Sequence, residues 1–189
     1  MNRKDYILFD LDGTLTDPKE GITKSVQHAL AHFGIQTDDL DSLTPFIGPP
    51  LRDSFKKYYG FSDEQAWEGV QAYREYFSVR GWVQNKEYPG IKEMLEALKE
   101  AGRVLLVATS KPEEFARKIL EHFDMADYFD FIGGADMGET RVRKGDVIRY
   151  VLEQCGLEPD DETIGRCMMV GDREHDVLGA RECGMECVG

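Results

Sequence analysis

Short apolar runs alternate with helical patterns along most of this 189-residue chain. Each run is four or five residues long and ends in polar or glycine-containing sequence, as buried strands of a parallel sheet do. The runs are Tyr6–Phe9, Val104–Ala108, Phe129–Ile132 and Cys167–Val170. Their alternation with helices predicts a doubly wound, parallel α/β sheet, in which functional side chains gather at the carboxyl ends of the strands.

Helices are predicted between these strands because apolar residues recur there at helical spacing. Such patterns begin near Ile91, Phe115 and Val147. Gly102 follows the first pattern and Pro112 precedes the second, which is where these residues usually mark helix ends.

Residues 17–86 break the alternation, because they show helical patterns without a convincing strand. Asp17–Glu20 and Ser62–Gln65 each place a capping side chain before an apolar helical face, and another helix is predicted after Leu51. Two domains are therefore predicted: an α/β core of residues 1–16 and 87–189, and an inserted α-helical cap of residues 17–86.

Composition and charge narrow the class of protein. The chain has 23 Lys and Arg against 36 Asp and Glu, a net charge of −13, which disfavours nucleic acid and anionic membrane surfaces as partners. The N-terminal apolar run is too short for a signal peptide, and no later run approaches the roughly 18 residues of a membrane-spanning helix. We therefore predict a cytoplasmic protein whose cysteines are reduced and take no part in its chemistry.

Two carboxylates, Asp10 and Asp12, follow the first predicted strand and precede Gly13 and Thr14. Acids held this close repel each other unless a cation or hydrogen bonds compensate, and an all-oxygen ligand set suits Mg²⁺. A polar turn would explain the same residues, since Asp and Gly are common in turns. The residues after the other strands favour the magnesium interpretation.

Thr109 and Ser110 follow the strand Val104–Ala108, just before a helix start, where hydroxyls and free amides suit a phosphate. Lys144 precedes the helix near Val147, where an ammonium could neutralise a carboxylate and a phosphoryl oxygen. A solvated lysine is the alternative for that position.

A second acid pair, Asp172 and Asp176, follows the strand Cys167–Val170. Asp172 is the better candidate for an additional metal ligand. Asp176 would equally suit a helix start, where the helix dipole favours an acid.

Together these residues resemble the four ordered motifs of the haloacid dehalogenase superfamily, in its phosphatase branch. The motifs are Asp10-Leu11-Asp12-Gly13-Thr14-Leu15-Thr16-Asp17, Thr109, Lys144, and Gly171-Asp172 with Asp176. The resemblance covers nearly the whole chain, and residues 17–86 lie where phosphoglycolate-phosphatase-like members carry a helical cap.

The resemblance implies a Rossmann-like core and a magnesium-dependent hydrolase that acts on a small phosphorylated metabolite through an aspartyl-phosphate. Asp10 would be the nucleophile and Asp12 the general acid/base, assisted by Thr109 and Lys144. The metal ligands would be Asp10, Asp12 through its carbonyl, Asp172 and Asp176. Substrate binding is predicted for Gly13, Thr14, Ser110 and Arg52.

Arg52 is included because Phe46–Arg52 resembles the family's cap specificity loop. Its cation would bind a second anionic group of the substrate, and a solvent-facing arginine is the alternative. Elsewhere in the cap, the helical stripe of Trp67, Tyr73 and Phe77 is predicted to be core rather than a platform for stacked bases.

Met185–Gly189 reads as the start of another strand, at a point where family members continue through a further strand and helix, so a shortened chain is expected. The motifs do not separate a phosphatase from a phosphosugar mutase that uses the same aspartyl-phosphate. A phosphorylatable signalling module is disfavoured, because the phospho-acceptor follows the first strand and a cap of roughly 70 residues interrupts the sheet. The particular substrate and the oligomeric state do not follow from the sequence.

Overall fold

The structure is a computed structural model that describes residues 3–138 and 140–189. The chain divides into two compact units, one of Met1–Thr16 with Glu87–Gly189 and the other of Asp17–Lys86. The strands of the described residues are β1 (Tyr6–Phe9), β2 (Thr16–Asp17), β3 (Lys86–Glu87), β4 (Val104–Pro112), β5 (Phe131–Ala135), β6 (Cys167–Val170) and β7 (Glu186–Val188). The α-helices are α1 (Lys19–His32), α2 (Leu51–Tyr59), α3 (Asp63–Phe77), α4 (Ile91–Glu100), α5 (Glu113–His122), α6 (Lys144–Gln154), α7 (Asp161–Gly165) and α8 (Glu174–Glu182).

The larger unit is built on a five-stranded parallel sheet with the strand order β5-β4-β1-β6-β7. Leu8 and Leu106 on one face of the sheet and Phe9 and Val107 on the other are all buried, as expected for a parallel sheet covered on both faces. This arrangement confirms the predicted doubly wound α/β fold.

The connections place a topological switch point beside β1. From β1 the chain continues to β4 and β5 on one side of the sheet and then returns to β6 and β7 on the other. In open α/β sheets, ligands bind outside the carboxyl ends of the strands at such a point. The carboxyl ends of β1, β4 and β6 are therefore the place to look for a site.

Two predicted strands have different bounds in the structure. β4 continues beyond Ala108 to Pro112, with a register shift against β5 between Thr109 and Pro112. β5 begins at Phe131 rather than Phe129, because Phe129 closes a short 3-10 turn. The segment Met185–Gly189 contains β7, which pairs with β6.

The smaller unit is helical. Helices α1, α2 and α3 enclose a core that includes Leu30, Phe55 and Val70. The predicted capping box at α3 is present: Gln65 N–H donates to Ser62 Oγ at 3.2 Å, and Ser62 N–H donates to Gln65 Oε1 at 3.0 Å. At α1 the capping differs from the prediction, because Asp17 accepts from the Lys19 amide while Glu20 pairs with Lys24 instead of capping.

The remaining features of the fold are the length of its helices, the state of its cysteines and a second, smaller sheet. None of the helices that the structure describes is long and apolar enough to cross a membrane. The four cysteines are free thiols, of which only Cys167 is fully buried. The strands β2 and β3 form a separate two-stranded sheet.

Candidate active site

Asp10 and Asp12 lie just beyond the carboxyl end of β1 and are both buried, at 4% and 6% exposure. The Asp10 amide donates to Val170 O at 2.9 Å, which extends the pairing of β1 with β6 by one residue. Leu11, between the two acids, is fully buried and anchors the segment in the core. The Asp10 backbone hydrogen bond and the buried Leu11 thus fix the segment that carries the two carboxylates.

Lys144, the first residue of α6, is buried and occupies the centre of this arrangement. Its Nζ lies 2.7 Å from Asp10 Oδ1, 2.8 Å from Asp176 Oδ1 and 2.9 Å from the Ala108 carbonyl oxygen. An ammonium group has three donors, and these three oxygens account for all of them. The alternative of a solvated lysine is therefore wrong, because the tertiary fold buries Lys144 against two acids.

Asp172 and Asp176 approach Asp10 from the loop after β6 and the start of α8. One carboxylate oxygen from each of the three acids can be chosen so that all lie within 4.8 Å of one another. Asp176 also accepts a hydrogen bond from the Arg173 amide at 3.0 Å, the helix-start role considered for it, so it both caps α8 and pairs with Lys144.

Thr109 and Ser110 lie in the part of β4 that extends past Ala108. Thr109 is 1% exposed, and its Oγ1 accepts from the Lys111 amide at 3.2 Å. Ser110 is half-buried. The register shift of β4 at this point turns Lys111 inward, so that its Nζ lies 2.7 Å from Asp12 Oδ2.

Lys111 was not among the predicted site residues. Its position in the sequence gave a usable signal, because it is a cation placed two residues after Thr109 at the end of a central strand. A lysine at a strand end usually faces solvent, but the side chain of Lys111 is only 4% exposed.

Gly13 and Thr14 form the turn after Asp12. Gly13 has φ +91°, and its amide donates to Thr16 O at 2.8 Å, while the Thr14 amide donates to Leu11 O at 3.3 Å. Both amide N–H groups therefore donate their hydrogen bonds to residues of the turn itself. The Thr14 hydroxyl lies 3.4 Å from Asp172 Oδ1.

Arg52 lies in the first turn of α2, within the smaller unit. Its guanidinium stands over the ring of Trp67 at 6.0 Å and 3.7 Å from Asp63 Oδ1. Trp67 is 42% exposed, so its interpretation as a residue of the cap core is wrong. Tyr73 and Phe77 of the same helix are buried as predicted.

The electrostatics of the core site are dominated by burial and by the proximity of the acids. Burial raises the pKa of Asp12, and Lys111 opposes this rise. Burial, followed by repulsion from Asp10, raises the pKa of Asp176, and burial likewise raises the pKa of Asp172. Burial alone would lower the pKa of Lys144, but Asp10 and Asp176 beside it raise the pKa above its ordinary value.

The donor set and its charge fit a hard divalent cation. The carboxylates of Asp10, Asp12 and Asp176 pair with two buried ammonium groups, Lys111 and Lys144, and the carboxylate of Asp172 lies beside those of Asp10 and Asp176. Arg173 Nε lies 3.1 Å from Asp172 Oδ2, so three cations stand beside four carboxylates, and the cluster has more acidic than basic groups. Clustered carboxylate oxygens are the ligands that Mg²⁺ prefers.

A doubly wound sheet with an acid and lysine cluster at its switch point is typical of α/β enzymes that bind a ligand at the carboxyl ends of their strands. The comparison with known proteins agrees. Residues 7–189 match the family model of haloacid dehalogenase-like hydrolases. The chain belongs to this family and is an enzyme of its phosphatase type.

Three similar proteins illustrate the relationship. A protein of Pseudomonas aeruginosa named 5′-nucleotidase is 51% identical over 97% of this chain and 80% of its own length. The tyrosine-protein kinase PtkA of Mycobacterium tuberculosis is 43% identical over 96% of this chain, which spans 60% of that protein. The crystal structure of a predicted phosphatase from Clostridium acetobutylicum superimposes with a TM-score of 0.95 at 47% identity, covering 100% of this chain and 85% of that one.

Proposed function

We propose that this protein hydrolyses small phosphomonoesters in a magnesium-dependent reaction that passes through a phosphoenzyme on Asp10. The observation that carries the proposal is the contact of Lys144 with Asp10, 2.7 Å, which holds a buried carboxylate at the switch point of the sheet. Nucleoside 5′-monophosphates are the first substrates to test, in view of the relative named 5′-nucleotidase.

In the first step, a carboxylate oxygen of Asp10 attacks phosphorus while the bond from phosphorus to the leaving oxygen breaks. Asp12 donates its proton to that oxygen, so the alcohol leaves neutral. Thr109 retains its hydroxyl proton as a donor to a phosphoryl oxygen, since its Oγ1 accepts from the Lys111 amide. Ser110 is proposed to add a second hydroxyl.

In the second step, Asp12 removes a proton from water, the water oxygen attacks phosphorus, and the bond from phosphorus to Asp10 breaks. Inorganic phosphate leaves and both acids return to their starting states. Lys144 keeps the Asp10 carboxylate in place through both steps, because the ammonium is itself fixed by Asp176 and Ala108.

Mg²⁺ would be held by Asp10, the Asp12 carbonyl, Asp172 and Asp176, and would offset the negative charge of the phosphoryl group.

Residues 17–86 are proposed to act as a cap that selects the substrate, with Arg52 as its anion-binding residue. For substrate binding, Gly13 is proposed to act by shaping the turn after Asp12, and Thr14 by its hydroxyl group. A cytoplasmic location and the absence of nucleic acid as a partner stay predictions.

The test is a panel of phosphorylated metabolites assayed for released phosphate with Mg²⁺, for the wild type and for Asp10→Asn. Asp10→Asn is expected to abolish turnover and keep its fold, because an amide of the same shape is not an anionic nucleophile. Asp127 is an exposed acid in the 3-10 turn before β5, and Asp127→Asn is the matched control, which should be fully active. Turnover by Asp10→Asn, or full activity of the wild type in excess chelator, would contradict the mechanism.

The same assay distinguishes a phosphatase from a phosphosugar mutase. Phosphate release without added sugar bisphosphate favours a phosphatase over a mutase. Replacing Mg²⁺ by Ca²⁺ should inhibit, because the larger and looser coordination shell of Ca²⁺ suits in-line attack less well.

A further inference from the structure

Lys111 forms a second buried ion pair in the core unit, separate from that of Lys144. Its Nζ lies 2.7 Å from Asp12 Oδ2, and the two side chains are 4% and 9% exposed. Lysine is rarely buried to this extent unless it is paired, since removing an ammonium from water is costly. Replacing a buried ion pair by well-packed apolar side chains is often neutral for stability, so burial of the pair is weak evidence for a stabilising role.

The two oxygens of Asp12 have different surroundings. Oδ2 is bound by Lys111, whereas Oδ1 is buried and accepts no hydrogen bond from any residue that the structure describes. An unpaired buried carboxylate oxygen is unfavourable and calls for an explanation. Its partner is supplied when a proton is shared with a substrate oxygen or a water molecule.

The backbone around Lys111 makes this contact specific. The register of β4 shifts between Thr109 and Pro112, and the Lys111 amide is fixed by Thr109 Oγ1 at 3.2 Å. A proline follows Lys111 and restricts the backbone further. The ammonium is thus delivered to Asp12 by a constrained strand end.

We propose that Lys111 is a positioning residue for Asp12, which holds Oδ2 so that Oδ1 is the atom that exchanges the proton with the leaving group and then with water. This inference rests on the proposed function, because it requires Asp12 to be the general acid/base. Lys111 acts through Asp12 and makes no contact with the substrate in this role. Each acid of the β1 segment then has its own buried lysine, Lys144 for Asp10 and Lys111 for Asp12.

The experiment is a double-mutant cycle with Lys111→Met, Asp12→Asn and the combined variant. Lys111→Met should lower kcat by about 10- to 100-fold with little change in KM, since misplacing a catalytic group by about 1 Å is this costly. In the Asp12→Asn background the same substitution should change kcat by less than about threefold, because the group it positions no longer transfers a proton. Lys118→Met, a lysine exposed on α5, is the control and should leave kcat unchanged.

Leaving-group dependence provides a readout that a purely structural role would not move. An aryl phosphate with an acidic leaving group needs less protonation than an alkyl phosphate. Lys111→Met should therefore lower kcat/KM more for the alkyl ester, in the same sense as Asp12→Asn. If Lys111→Met fails to fold, Lys111→Gln retains polarity without the charge and is measured in its place.

Independent, multiplicative effects of the two substitutions would overturn the inference, as would a raised KM at unchanged kcat, which would make Lys111 a substrate contact. Equal losses on both esters would reduce Lys111 to a structural residue. Full activity of Asp12→Asn on its own would instead contradict the proposed function, so the two failures are distinguishable.

Discussion

The carboxylate of Asp172 occupies the space that a side chain at position 13 would need. A Cβ built on Gly13 would stand 2.5 Å from Asp172 Oδ2, and the backbone there has φ +91°, which L-residues rarely adopt. Two separate features therefore require glycine at position 13: the backbone conformation of the turn, and the close approach of Asp172 from the loop after β6. At the residue scale, the acid cluster depends on this uncharged position as well as on its charged members.

Gly13→Ala should lower kcat/KM by about 100-fold, because the Asp172 carboxylate must move away from the cluster. It should also lower the free energy of unfolding by about 1–2 kcal/mol through backbone strain. Steady-state kinetics and thermal unfolding measure the two effects separately.

Gly102→Ala is the control for strain alone. Gly102 has φ +71°, and a Cβ added there would meet no atom within 4 Å. This variant should lose similar stability and keep its activity. Equal activity of the Gly13→Ala and Gly102→Ala enzymes would show that the Asp172 contact is unimportant.

At the scale of elements, the loop between β5 and α6 positions Lys144. Asp136, directly after β5, accepts hydrogen bonds from the Thr140 amide and hydroxyl, both at 3.1 Å, and from the Arg141 amide. Arg141 in turn donates to Gly134 O at 3.0 Å and lies over the Tyr150 ring at 3.5 Å. These contacts tie the loop to β5 and α6 immediately before the buried lysine.

Asp136→Ala should lower kcat by roughly 10-fold and stability by about 1–2 kcal/mol, because amides that it now satisfies would lose their acceptor and the start of α6 would loosen. Asp160→Ala is the matched control. Asp160 also accepts a backbone hydrogen bond, from Thr163 N–H at 2.7 Å, but it caps α7 before the amino end of β6. That variant should lose about 1 kcal/mol and no activity. A normal kcat for Asp136→Ala would show that Lys144 is held without the loop.

The stability effect of Asp136 should also depend on pH. Burial raises the pKa of Asp136, but the hydrogen bonds from Arg141 and Thr140 outweigh it and the pKa lies below its ordinary value of 3.8. A carboxyl whose pKa is lowered by folding contributes stability above its unfolded pKa and loses it as the pH falls through the folded pKa. The stability difference between wild type and Asp136→Ala should therefore be full at neutral pH and shrink below about pH 4.

At the scale of the whole molecule, the two units carry different parts of the proposed function. All of the acids and buried lysines of the candidate site lie in the unit that contains the parallel sheet, and none comes from Asp17–Lys86, among the residues described. The proposed function gives substrate choice to the smaller unit, in which Arg52 is the predicted contact with a second anionic group of the substrate.

Arg52→Ala should lower kcat/KM for a substrate with a second anionic group by roughly 10- to 100-fold, because a hydrogen bond to a charged group contributes about 1.5–3 kcal/mol. A small aryl phosphate should be unaffected. Arg74→Ala is the matched control, since its guanidinium stands over the same Trp67 ring at 5.9 Å. Equal effects on both substrates, or equal effects of both variants, would return Arg52 to a packing role on Trp67.

The sequence by itself determined the fold class and the places where chemistry could occur. Both follow from local information: apolar runs and helical periodicity mark the elements, and polar residues at strand ends mark the carboxyl edge of the sheet. The tertiary structure alone decided which of those residues meet. Lys144 pairs with Asp10 across 134 positions of sequence, Lys111 becomes buried through a register shift in β4, and Trp67 becomes exposed. Whether a charged or aromatic side chain is buried depends on the elements packed against it, which its own sequence neighbours do not specify.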